Sequence, residues 1–204
     1  MKSETMHCPR QEEAPQAQPS RNEIDLSLLE RIEHGDRAAL HELYDSYYHA
    51  LLRFMQRITR SLELAQECVN DVMLTVWRNS KSFGRRSSVS TWIMGIAYHK
   101  ALKALSLKRR WSSRFGFQID DFEDRWEAAV EPGEHRDLRD LLDKALDALP
   151  PAQRAVVELS YFGGYSYEEI AAITGCPVNT VKTRMFHARA KLRKALPALA
   201  NDEL

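Results

Sequence analysis

Apolar residues recur at three- and four-residue steps along most of this chain. Nowhere do they alternate, so the pattern predicts helices and no sheet. Leu26, Leu29 and Ile32 mark one short helix ending near Gly35. Asp36 is placed to cap the next. There Leu40, Leu43, Tyr44, Tyr47, Leu51, Phe54, Met55 and Ile58 form a single long stripe. Ser61 is placed to cap a third helix carrying Leu64, Cys68, Val69, Val72, Met73, Val76 and Trp77. A loop of Gly and Ser follows. Ser90 is then placed to cap a fourth helix through Trp92, Ile93, Ile96, Ala97, Ala101, Leu102 and Leu105. Trp77 and Trp92 fall on apolar faces and are read as core. Four helices with short connections predict a compact bundle.

The periodicity lapses over residues 112–135, then resumes. Leu138, Leu141, Leu142, Ala145, Leu146 and Leu149 run up to Pro150-Pro151. Pro151 suits the first turn of a helix that stops at Gly163-Gly164. The expected fold is therefore all-α, with two small helical domains joined by a tether. The expected boundaries are a disordered polar arm at 1–22, a first domain at 23–111, a linker at 112–135, a second domain at 136–197 and a tail at 198–204.

The segment from Ser166 to Leu196 carries the sharpest local signal. Ser166 and Glu169 form an S-x-x-E capping box. Ile170 and Ile173 supply a buried face, and Gly175 is suited to a left-handed helix stop. Pro177 opens the last helix. A short capped helix, a Gly turn and a second helix are the layout of a helix-turn-helix. In the last helix Val178, Val181, Met185, Ala188 and Leu192 form the inner stripe. Asn179, Thr180, Lys182, Thr183, Arg184, Phe186 and His187 lie on the other faces, with Arg189, Lys191, Arg193 and Lys194 beyond them.

Charge sharpens this reading. The 204 residues hold 29 Lys and Arg against 29 Asp and Glu, a net charge of zero. The signs are segregated, however. No Asp or Glu occurs between Val72 and Ile119, or from Ile170 to Asn201. Phosphate repels carboxylates, so acid-free basic helices are suited to nucleic acid. The first such stretch holds Arg78, Lys81, Arg85, Arg86, Lys100, Lys103, Lys108, Arg109, Arg110 and Arg114 among Phe83, Trp92, Tyr98 and Trp111. Cations interleaved with aromatics fit a surface that tracks a single strand and stacks unpaired bases. The loop Asn79 to Thr91 is suited to holding an unstacked base. Tyr98 and His99 fall on the polar side of the fourth helix and are the better stacking candidates. Acids gather instead in and after the linker, as Asp120, Asp121, Glu123, Asp124, Glu127, Glu131, Glu134, Asp137, Asp140, Asp143 and Asp147. That run reads as a mimic of nucleic acid in a basic channel, as a segment that folds back onto the DNA-binding faces of the free chain, or as a merely solvated tether.

Other chemistries find little support. Cys8, Cys68 and Cys176 lie far apart, at no metal-ligand spacing. They read as reduced thiols, Cys68 as a small core residue. No P-loop, GxSxG or HExxH occurs. No cofactor, no small-molecule substrate and no catalytic residue is expected, so the chain is not read as an enzyme. No apolar run reaches the ~18 residues of a membrane span, and no signal peptide opens the chain, which predicts a cytoplasmic protein.

Several runs carry a family likeness. Ala65-Gln66-Glu67-Cys68-Val69-Asn70-Asp71-Val72-Met73-Leu74-Thr75-Val76-Trp77 resembles the polymerase-binding helix of sigma factors. Ser90-Thr91-Trp92-Ile93-Met94-Gly95-Ile96-Ala97-Tyr98-His99 resembles their promoter-melting helix. Leu149-Pro150-Pro151-Ala152-Gln153-Arg154, Tyr165-Ser166-Tyr167-Glu168-Glu169-Ile170-Ala171 and Val178-Asn179-Thr180-Val181-Lys182-Thr183-Arg184 resemble the signatures of their second domain. Taken in order, these motifs are similar to a group IV, or extracytoplasmic-function, sigma factor of the sigma-70 family.

The resemblance implies a subunit that directs core RNA polymerase to promoter DNA in an envelope or environmental stress response. It implies that Glu67, Asn70, Asp71, Met73 and Leu74 bind the polymerase. Lys81, Arg85, Arg86, Tyr98, His99, Lys100 and Lys103 would hold the melted minus-ten element. Asn179, Thr180, Lys182, Thr183, Arg184, Phe186 and His187 would read the minus-thirty-five element. It also implies an anti-sigma partner, often membrane-anchored. His99 stands where the family usually has Asn, Lys103 where it often has Asp, and His187 where Arg is common.

Overall fold

The computed structural model describes residues 19–115 and 135–202. Among these it holds eight α-helices and no strand. The first half comprises α1 (Arg21–Glu33), α2 (Arg37–Thr59), α3 (Leu62–Asn79) and α4 (Val89–Phe115). The second comprises α5 (His135–Asp147), α6 (Pro151–Val157), α7 (Tyr167–Thr174) and α8 (Val178–Asp202). The polar arm at 1–18 and residues 116–134 of the tether lie outside the described residues. Helix α1 begins two residues inside the expected arm, and α4 runs four residues past the expected end of its domain. Helix α8 likewise continues beyond 197.

Local chemistry sets most of the helix starts. Ser20 and Glu23 close a capping box on α1, so the helix is capped from within the segment expected to be an arm. The Asp36 carboxylate accepts from the amides of Ala38 and Ala39. Ser61 accepts from Leu64. Each satisfies amides that the first turn would otherwise leave unpaired. The cap of α4 is a correction. Ser88, not Ser90, accepts from the Thr91 amide, and α4 therefore starts at Val89. Both serines precede the same apolar run, so local pattern alone does not choose between them.

The core of the first half is the predicted one. Leu43, Leu51, Met55 and Ile58 of α2 meet Ala65, Val69, Val72 and Val76 of α3 and Ile93, Ala97 and Ala101 of α4, all buried. Trp77 and Trp92 are half-buried against that core. Cys68 is buried there, and burial raises its thiol pKa.

In the second half, Pro151 occupies the first turn of α6, which runs into one π turn over Glu158–Phe162. The capping box of Ser166 and Glu169 starts α7. Gly175 ends it at φ 66°, a left-handed conformation costly for any residue with a Cβ. Val181, Met185 and Ala188 of α8 are buried, as the stripe predicts.

Arg154 had no structural role in the sequence reading. The residue is 4% exposed. It donates to the carbonyls of Leu146, Asp147 and Leu149, capping the end of α5, and to the carbonyl of Arg57 at the end of α2. Burial lowers its pKa, with Arg60 acting in the same sense and Asp147 opposing.

Two outcomes follow from these contacts. Ser166→Ala removes one cap and should lower stability by about 1 kcal/mol, read as a lower urea midpoint at unchanged slope, with Ser166→Asp restoring most of it. Arg154→Met leaves buried carbonyls without donors and should cost about 3 kcal/mol in the same titration.

Candidate nucleic-acid interface

Three surfaces can be built from the residues upward. The first is the outer face of α3. Glu67, Asn70, Asp71 and Leu74 recur at helical steps and are all exposed. Leu74 is 44% exposed, an apolar residue set among acids. Met73 belongs elsewhere. It is 4% exposed and packs into the core, so it supports this face and does not line it. Tyr44, which the stripe of α2 assigned to the core, borders the face. Its hydroxyl donates to the Asn70 side-chain carbonyl at 3.1 Å, and its ring stacks on Tyr48. Burial raises the Tyr44 pKa. Aromatics one turn apart on α2 were the available signal.

The second surface is the loop before α4 and α4 itself. Lys81, Arg85 and Arg86 are exposed on that loop. Arg85 has φ 52° and pairs with Glu30 of α1 at 2.5 Å. Asn22 accepts from the Val89 amide at 3.0 Å, so α1 pins the loop to the start of α4. Phe83 and Trp92 pack on one another at 5.1 Å and are half-buried. On α4, His99 and Lys103 are exposed. Lys100 reaches sideways instead and meets Asp71 of α3 at 3.3 Å. That ion pair joins the second surface to the first.

Tyr98 departs from expectation. It lies on the polar side of α4 relative to the first bundle, yet it is only 3% exposed. The second half of the chain covers it. A periodicity read within one bundle cannot show a residue buried by another. Burial raises its pKa, and Arg184 opposes that shift.

The third surface is the helix-turn-helix. Asn179, Lys182, Thr183, Phe186 and His187 are exposed and Thr180 is half-buried. Phe186 is 69% exposed with His187 edge-on beside it. An aromatic ring left this bare on a basic helix with no acid before its last residue is suited to packing against a base edge or sugar. The Thr183 hydroxyl bonds back to the Asn179 carbonyl at 2.9 Å. Arg184 is half-buried, and its guanidinium donates to Cys176 Sγ at 3.6 Å. Arg189 binds the Tyr161 hydroxyl at 3.1 Å and lies over that ring. Among the described residues no group of His, Cys, Asp or Glu is arranged to hold a metal ion. No helix among them is long and apolar enough to cross a membrane.

The chain is similar to known proteins over most of its length. Residues 43–111 match the family model "Sigma-70 region 2", and residues 139–192 match "Sigma-70, region 4". The chain is 34% identical to the ECF RNA polymerase sigma factor RpoE of Cereibacter sphaeroides, over 83% of this chain and 93% of that protein. It is 30% identical to the RNA polymerase sigma-H factor of Pseudomonas aeruginosa, over 88% of this chain and 97% of that one. The solved sigma factor RpoE of Bartonella quintana, bound to the anti-sigma factor NepR, superposes with a TM-score of 0.62 at 26% identity. That match covers 76% of this chain and 97% of that one. With both regions matched in chain order and relatives aligned nearly end to end, this chain belongs to the ECF RNA polymerase sigma factors.

Proposed function

We propose that this sigma factor divides its work among the three surfaces. The α3 face, with Glu67, Asn70, Asp71 and Leu74, docks on core RNA polymerase. Its charges steer the encounter and its exposed leucine supplies an apolar anchor. The loop of Lys81, Arg85 and Arg86, with His99 and Lys103 of α4, holds the melted minus-ten strand. Lys100 connects that site to the polymerase face. Helix α8 enters the major groove of the minus-thirty-five element with Asn179, Lys182, Thr183, Arg184, Phe186 and His187. Its early residues meet base edges, and its later cations hold phosphates.

The observation that carries this division is the distribution of acids. The α3 face bears exposed carboxylates, while α8 carries none before its last residue and α4 none at all. A protein that met only DNA would gain nothing from an exposed acidic face with a leucine at its centre. A protein that met only protein would gain nothing from two basic helices so nearly free of carboxylates. The two domains act as separate modules, 23–111 and 136–197, joined by the acidic tether. The chain works with polymerase in the cytoplasm. An anti-sigma factor restrains it, as the NepR complex of the Bartonella relative suggests by analogy.

Two substitutions test the assignment. Asp71→Lys reverses a charge at the docking face and breaks the pair with Lys100. It should weaken binding to core polymerase by at least about fivefold in a co-elution titration, whereas unchanged affinity removes Asp71 from the interface. Lys182→Ala should leave core binding intact and lower promoter-specific transcription by the holoenzyme. It should also reduce the slope of log affinity against log salt by about one if the lysine neutralises a phosphate.

A further inference from the structure

The loop between α3 and α4 has no acid of its own, yet a carboxylate stands against it. Glu30 of α1 pairs with Arg85, and both side chains are more than half exposed. Farther back along α1, the Asn22 side chain accepts from the Val89 amide. Residues at i, i+4 and i+8 share one row of a helix, so Asn22, Leu26 and Glu30 line up over about 12 Å of α1. The loop from Arg85 to Val89 is held at both ends of that row, and Leu26 packs on the core between them. The row is itself fixed in place. Leu28, Leu29 and Ile32 are buried, and the buried Asp25 carboxylate accepts from Arg21 and from the Tyr47 hydroxyl.

Each end of the row does something different. Val89 is the first residue of α4, and its amide has no partner within that helix. Ser88 takes the Thr91 amide, and α1 takes the Val89 amide through Asn22. The point where the loop becomes helix is therefore set partly from α1. At the other end, Arg85 has φ 52°, a left-handed conformation that residues with a Cβ seldom adopt. Its guanidinium donates through a terminal nitrogen to Glu30. An ion pair this exposed adds little to stability. It bears on how Arg85 is presented more than on whether the bundle folds.

We infer that α1 sets the base selectivity of this loop, with Asn22 fixing where the loop ends and Glu30 directing Arg85 toward base edges and away from phosphates. The inference rests on the minus-ten role proposed for the loop. A guanidinium carries five donors, so Arg85 keeps donors for a second acceptor while Glu30 holds one side of it. A phosphate that approached that guanidinium would also meet the Glu30 carboxylate, well within a screening length, and be repelled. A base edge carries no net charge and escapes that penalty. An Arg that would otherwise bind any strand by its backbone is thereby reserved for acceptors such as the paired edge atoms of guanine. Glu30 is a positioning residue on this reading, as is Asn22, since each acts on DNA through the loop.

The experiment uses holoenzyme made from core polymerase and the full-length chain, with a pool of short single-stranded DNA of random sequence as the probe. Filter binding across a salt series reads affinity for the unselected pool, and sequencing of the retained strands reads base bias at each position. Glu30→Gln should bind the unselected pool about threefold more tightly at low salt. Its slope of log affinity against log salt should steepen by about 0.7, as expected when Arg85 gains a phosphate, and the base bias should fall. Asn22→Ala should lose bias with no gain in affinity or slope, and Asn22→Asp, which keeps an acceptor for the Val89 amide, should recover it. Core binding should be unchanged in all three, which reports an intact fold. Glu30→Gln with affinity, slope and bias unaltered would overturn the inference, as would a joint loss of affinity and bias, the mark of a merely structural support. Unaltered bias in Asn22→Ala would remove Asn22 from it. Failure of the minus-ten assignment has its own signature, namely Arg85→Ala leaving both affinity and bias for the pool as they were.

Discussion

A phosphodiester backbone is a dense line of negative charge, and a surface that meets it cannot carry carboxylates without repelling its own ligand. That exclusion organises this molecule. It empties α4 and α8 of acids, save the last residue of α8, and pushes the compensating negative charge onto the outer face of α3, onto α5 and into the residues between the halves. The net charge of zero is the sum of this partition and conceals it. The acids so displaced take on other work. Asp71 holds Lys100 at the edge of the exposed α3 face, and Asp143 and Asp147 meet Arg57 and Arg60 across the seam between the halves.

The two halves also pack on one another. Gly95 of α4 lies against Ile173 of α7, and the Ser90 and Tyr165 hydroxyls share a hydrogen bond. One buried apolar cluster runs through both halves, so apolar packing joins them as well as the ion pairs of Arg57 and Arg60.

The helices and most of their caps were legible in the sequence because they depend on neighbours three or four residues away. Asp36, Ser61 and the Ser166–Glu169 box are local devices, and each is found in place. The inner stripe of α8 is likewise a local periodicity. What was not legible depends on residues distant in sequence. Arg154 sits in a run of Ala and Val, and nothing near it reveals four carbonyls drawn from α2 and from the end of α5. Tyr98 reads as polar-facing until the second half covers it. Ser90 reads as a cap until Tyr165 claims its hydroxyl. Met73 fell within a motif associated with polymerase binding, and only packing shows that it turns inward. Motif resemblance suggested the faces, and burial shows which of the suggested residues are exposed.

One chain joins polymerase and promoter. Run-off transcription from a genomic fragment library, with core RNA polymerase in the presence and absence of this protein, tests it most directly. New transcripts with discrete 5′ ends should appear only when the protein is added and map to a shared pair of upstream elements. An identical set of transcripts with and without the protein would contradict it.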